Sequence, residues 1–123
     1  MYERSMQDQV TQLFSAEYGV SQSEFTDTFV SFYEHPFQGR NAIRVVALEG
    51  EQVVGFQSFF FWPYRFEGRS MRSFQSGNSL VHPDYRGRGI FQSLLNFIYD
   101  QARELDIDFL MGFPVEASHR SFL

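Results

Sequence analysis

A chain of 123 residues, 43% hydrophobic and 19% aromatic with sixteen Phe, has the size and composition of one small domain, residues 1–123, built round a single core. A net charge of -5 argues against general affinity for nucleic acid or an anionic membrane, and the absence of cysteine excludes disulfides, a thiol nucleophile and thiolate-held metal. The opening MYERSMQDQV lacks a signal-peptide pattern and no apolar run approaches the ~18 residues of a membrane span, so a cytoplasmic protein with neither nucleic-acid nor membrane partners is expected.

Residues 4–18 place Met6, Val10, Leu13 and Phe14 at helical spacing. GVSQSEF breaks that pattern, and Ser21 with Glu24 reads as a capping box opening a second helix that carries Phe25, Phe29, Phe32 and Tyr33. After the loop EHPFQGRN, IRVVALE (43–49) is a strand by its β-branched content. GEQ turns it into VVGFQSFFFWPYRF, and EGRS turns that into MRSFQSGNSLVH, so three strands on short connections form an antiparallel meander. The period then changes. Phe91, Leu94, Leu95, Ile98, Ala102 and Leu105 make one apolar helical stripe, and IDFLMGF (107–113) follows as a buried strand, parallel to the strand before the helix through a right-handed crossover. The predicted fold class is α/β (α+β): a mixed sheet in which an antiparallel meander is followed by a β-α-β crossover. Met111 and Phe113 would then lie on an exposed sheet edge, and SHRSFL ends the chain without a stop signal. The expectation is a C-terminally incomplete domain, or an edge covered by a further C-terminal segment or a homodimer partner.

Between strand and helix lies VHPDYRGRGIFQSLL, residues 81–95. A helix N-terminus leaves backbone N–H groups unpaired and carries the positive end of the helix dipole. Glycines at 87 and 89 allow close backbone approach, and Arg86 and Arg88 add fork-shaped donors. Together they suit a phosphate or pyrophosphate. The plain alternative is a helix cap whose arginines face solvent. A Walker loop is excluded because GRGIFQ lacks Gly-Lys-Ser/Thr, and a dinucleotide fingerprint because Gln92 stands where its third glycine belongs.

SLVHPDYRGRGIFQSLL resembles the acetyl-CoA-binding motif of the GNAT superfamily of N-acetyltransferases. That motif reads Gln/Arg-x-x-Gly-x-Gly/Ala after a hydrophobic-Val-x-Pro-x-Tyr/Trp lead-in. Arg86, Gly89, Pro83 and Tyr85 match, while Phe91 replaces the last Gly/Ala. GFPVEAS is similar to the GFPN-like segment of some subgroups, and the likeness runs from about Ile43 to the C-terminus. The resemblance implies the acyl-CoA N-acyltransferase fold, with the strands on either side of the helix splayed apart. The pantetheine arm of the co-substrate acetyl-CoA would lie in the gap along the backbone of Ser79, Leu80 and Val81, as an added strand. The pyrophosphate would rest on the amides of Gly87, Arg88, Gly89, Ile90, Phe91 and Gln92, with the Arg86 and Arg88 side chains nearby. The backbone of Leu80, or that of Val81, is implied as an oxyanion contact. The implied reaction is acetyl transfer to a primary amine of a small-molecule or sugar acceptor by direct attack.

For proton transfer the resemblance puts Gln75 where many relatives carry glutamate, Phe122 where many carry tyrosine, and Val115 where asparagine is common. The remaining base candidates are Glu49, Glu67, His82, His119 and a water relayed through Ser76 or Asn78. His119, which follows the expected place of the cofactor thiol, is taken as the catalytic group; a surface role is the plain reading of His82. These departures keep two other functions open: a non-catalytic acyl-CoA-binding module or inactive fragment, and an interaction piece of a larger enzyme. Phe60, Trp62 and Phe66 read as core and sheet face ahead of acceptor-pocket lining, and Arg65, Arg69 and Arg72 as solvated turn residues ahead of an anionic-acceptor contact. Asp106 and Asp108 have no His partner at ligand spacing, so no metal site is expected.

Overall fold

The computed structural model describes residues 1–35, 38 and 42–111, Met111 by its backbone alone. A short 3-10 turn, Arg4–Met6, leads into α1 (Gln7–Tyr18) and α2 (Gln22–Tyr33). Then come β1 (Ile43–Glu49), β2 (Gln52–Phe61), β3 (Tyr64–Phe66), β4 (Arg69–Met71) and β5 (Ser73–Val81). A second 3-10 turn, Pro83–Tyr85, precedes α3 (Ile90–Gln101) and β6 (Phe109–Met111).

Local chemistry explains the helix ends. Gly19, at φ 67, stops α1 and donates its N–H to the Ser15 carbonyl. The Ser21 hydroxyl accepts from the Glu24 amide at 3.2 Å and so starts α2. The sheet runs β1-β2-β5-β6, antiparallel through β5 and parallel between β5 and β6. This is the mixed sheet of meander and crossover that the sequence predicts.

Phe56 and Phe59, an odd number of positions apart on β2, face opposite sides of the sheet. On one side Phe56 and Val53 pack with Val10, Phe14, Phe29 and Tyr33 from α1 and α2. On the other, Phe59, Ile43, Val45 and Phe74 pack with Leu94, Leu95 and Ile98 from α3. Each such fully buried side chain contributes roughly 1.5–3 kcal/mol. Gly55 lets α3 come close: a Cβ there would stand 3.0 Å from Ile90 Cγ2.

The structure corrects several expected boundaries. The run 53–66 is two strands, because Trp62 and Pro63 interrupt the ladder and proline has no N–H to give it. The run 71–82 likewise divides at Arg72, and among the described residues β3 and β4 pair only with each other. Arg72 turns to the last strand instead: its N–H donates to Asp108 Oδ2 at 2.6 Å, and the Asp108 N–H to its carbonyl at 2.9 Å. α3 ends at Gln101, so Ala102 and Leu105 lie in the turn after it, where Asp106 adopts φ 54. Phe32, counted on the apolar face of α2, is 55% exposed.

Candidate active site

β5 carries the feature that organises the site. Opposite β2, Gln57 pairs with Ser79 but Phe59 with Ser76, so two residues, Gly77 and Asn78, face Ser58 alone. Such a bulge bends its strand. Pairing of β5 with β6 covers Ser73, Phe74 and Gln75, immediately before the bend. Residues 76–81 have no strand partner on that side among the described residues.

The bulge also decides which backbone groups face that open side. His82 N–H donates to the Val54 carbonyl at 2.7 Å, which fixes the alternation of the antiparallel ladder above the bulge. Leu80, two residues back and paired with Phe56, therefore turns its N–H and carbonyl toward β2. Ser79 and Val81 turn theirs toward the open side. The Val81 carbonyl does so visibly, accepting from Arg86 Nε at 3.0 Å. Of the two amides expected as an oxyanion contact, that of Leu80 is thus spent inside the sheet, whereas that of Val81, like that of Ser79, faces the open side.

At the end of β5 the His82 ring caps the 3-10 turn, its Nδ1 accepting from the Asp84 N–H at 3.1 Å. The Asp84 carboxylate stands 4.0 Å from the same nitrogen, beyond hydrogen-bond reach. Gly87 and Gly89 both adopt left-handed backbone, φ 79 and 75, and a Cβ at either would meet nothing within 4 Å. The loop is therefore an open cradle, and Gly89 caps α3, its carbonyl taking the Ser93 N–H and hydroxyl, each at 3.0 Å.

The two arginines are not equivalent. Arg86 is anchored twice, to the Val81 carbonyl and through Nη2 to Glu17 Oε2 of α1 at 3.0 Å. Arg88 lies over the Tyr85 ring, 5.0 Å from its centre. Ile90 and Phe91 pack partly buried against the α3 core, and the Gln92 side chain bonds along the helix to Asn96 at 3.0 Å. What the loop offers is the backbone of a helix N-terminus beside two guanidinium groups.

Beneath the bulge, Tyr33 from α2 reaches across the sheet. Its hydroxyl lies 2.7 Å from Asn78 Oδ1 and 2.6 Å from Ser58 Oγ. A hydroxyl has one proton, so Tyr33 donates to the Asn78 amide oxygen while Ser58 donates to it. Burial pushes the Tyr33 hydroxyl well above the usual tyrosine range, and Tyr2 is raised first by the same cause. The folded state then keeps protons that the unfolded chain loses above about pH 10, so stability is intact below that pH and falls as pH rises beyond it. The chain has no lysine to titrate in the same window. The expected result is a urea midpoint that falls from about pH 10 upward, less steeply in Tyr33→Phe; a midpoint independent of pH up to 11 would contradict it.

Other sequence candidates fall away from this cluster. Glu67 sits exposed in the β3–β4 turn, before the start of β5, and Glu49 is exposed beside the β1–β2 turn. Trp62 and Phe66 are 57% exposed, and Phe60 stacks on Tyr33 at 5.2 Å. Arg65 and Arg69 are exposed, whereas Arg72 lies over Phe61 at 4.9 Å and bonds the Asp106 carbonyl. His119, Phe122, Val115 and Phe113 lie outside the described residues. Among the described residues there is no cluster of three His, Cys, Asp or Glu that would hold a metal, and no helix long and apolar enough to cross a membrane. The sequence reading missed the bulge, the Tyr33–Ser58–Asn78 network and the Glu17–Arg86 pair. Only the first had a local signal, a glycine inside a strand.

Comparison with known proteins agrees with this geometry. The profile of the acetyltransferase (GNAT) domain family matches residues 2–121. None of the curated protein sequences matches the chain. Among solved structures, a ribosomal-protein-alanine N-acetyltransferase from Brucella melitensis superposes with a TM-score of 0.70 at 23% identity, over 96% of this chain and 80% of that one. Glucosamine-6-phosphate N-acetyltransferase from Arabidopsis thaliana gives 0.70 at 13% identity, over 99% and 87%. A predicted acetyltransferase from Clostridium acetobutylicum, solved with acetyl-CoA, gives 0.67 at 17% identity, over 96% and 79%.

Proposed function

The chain belongs to the acetyltransferase (GNAT) domain family, and on that premise we propose that it is an acetyl-CoA-dependent N-acetyltransferase acting on a primary amine of a small-molecule or sugar acceptor. One observation carries the reading: above its bulge β5 has no strand partner on its outer side among the described residues, and that edge runs straight into the open glycine cradle at the head of α3. An extended pantetheine arm fits the first feature and a pyrophosphate the second.

Acetyl-CoA supplies the activated acyl group as a thioester. The amine nitrogen attacks the thioester carbon, the C–S bond breaks, the amine loses a proton and the departing thiolate gains one. The chain's own part begins with the backbone of Ser79 and Val81, which holds the arm along β5 and offers N–H groups to the carbonyl oxygen as charge builds there. The loop amides and Arg88 hold the phosphates, and Arg86, fixed by Glu17, keeps the top of the strand in place. Holding both reactants side by side removes much of the entropic barrier without a covalent enzyme intermediate. We assign proton transfer to His119 on the grounds of its sequence position.

A second reading, acyl-CoA binding without turnover, is favoured by one fact: β5 carries no carboxylate and no histidine from Ser73 to Val81. Calorimetric titration with acetyl-CoA, followed by thiol release over a panel of amines, separates the readings. Binding with thiol release on at least one amine supports the transferase. Binding with no release on any amine favours the second reading, and absence of binding sinks both.

A further inference from the structure

The N-terminal segment closes onto the edge of the sheet away from the loop. Tyr2 N–H donates to the Arg44 carbonyl of β1 at 3.0 Å, and the Arg44 guanidinium stands 4.3 Å from the centre of the Tyr2 ring and 4.8 Å from that of Tyr33. A cavity of about 320 Å³ opens there, lined by Tyr2, Arg4, Gln7, Tyr33, Glu34 and Arg44.

Three observations point to its occupant. First, Arg44 has no carboxylate within ion-pair distance among the described residues; the lining acid, Glu34, is held by Arg4 at 3.4 Å. Burial lowers the pKa of Arg44, so its charge sits with reduced hydration and gains from a counterion. Aromatic rings take the faces of a guanidinium and leave the N–H groups in its plane for a forked acceptor. Second, the Tyr2 hydroxyl is buried with no hydrogen-bond partner, in a protein interior where such atoms are normally paired. Third, the wall carries two guanidinium groups against one carboxylate, in a chain of net charge -5. Asp8, whose charge also acts on Tyr2, is exposed and does not line the cavity.

We propose that this cavity binds a small oxyanion of carboxylate or phosphate-monoester type, held by Arg44 and the Tyr2 hydroxyl with the exposed Arg4 beside them. The site lies at β1, two strands from the free edge of β5 and so about 10 Å from it. It stands or falls independently of acetyl transfer.

The test titrates inorganic phosphate and, separately, acetate into the full chain at constant ionic strength, with chloride as reference, reading Tm and heat. At least one of the two oxyanions is expected to raise Tm saturably where chloride does not. Arg44→Met should weaken that response at least tenfold. Tyr2→Phe, which keeps the ring on Arg44, should weaken it severalfold while unfolding normally in chloride. The double variant Arg86→Gln/Arg88→Gln alters the loop's own anion site and should leave the response in place. A response to phosphate alone identifies the phosphate class, and one to acetate alone the carboxylate class. No saturable response to either, or a response lost in the loop variant and retained in both Arg44→Met and Tyr2→Phe, overturns the proposal.

Discussion

Gly77→Val is expected to destabilise the fold by about 3 kcal/mol, lowering Tm by roughly 10 °C for a domain of this size. A Cβ at position 77 would stand 2.4 Å from Phe60 Cε2 and 2.6 Å from Ser58 Oγ, distances real carbons do not sustain. Neither neighbour has room to retreat. Phe60 is stacked on Tyr33, and Ser58 is fully buried with its hydroxyl in the Tyr33 network. Gly77→Ala should fall between wild type and Gly77→Val. Thermal unfolding checks the order, and Tm values of both variants within 2 °C of wild type would show that the bulge has slack.

Gly89→Trp should do the opposite: leave most of the stability and remove the ligand. The left-handed backbone at 89 makes any side chain there cost about 1–2 kcal/mol, but the space beyond is open, so the indole would project from the cradle without breaking the core. Whatever approaches the head of α3 must come through that space. Under the proposed function, acetyl-CoA affinity drops at least 100-fold, about 2.7 kcal/mol, with Tm down only a few degrees. Calorimetry reads the first and a melt the second. Unchanged affinity in a folded variant would place the phosphates elsewhere and remove the loop from the site.

The legible parts of this chain were those decided within a few residues. Ser21 and Glu24 start α2 by a contact three residues long, and the stripe Leu94, Leu95 and Ile98 of α3 is buried as its spacing demands. The loop glycines, too, could be placed because a positive φ is a local requirement. What stayed hidden depends on partners far away in sequence. Gly77 signals a bulge, but that Ser58 is the single residue opposite it follows from pairing with β2. Glu17 and Arg86, or Arg72 and Asp108, meet only once the fold has formed. The division at Trp62–Pro63 has a local signal in the proline, while the aromatic run around it has the composition of one continuous strand.

Phe74 and Leu80 lie an even number of residues apart, yet one packs under α3 and the other under α1 and α2. An unbroken strand cannot do that; the extra residue at the bulge shifts the strand by half a period. The count of residues between Ser73 and Arg86 is therefore a structural quantity in its own right. Taking out Gly77 or Asn78 would remove that extra residue and leave a regular ladder with β2, in which Leu80 keeps its place opposite Phe56 and the bend below the open edge is lost. The shortened strand would keep its layers and lose its bend, so the extra residue serves the shape of the open edge rather than the sorting of the core.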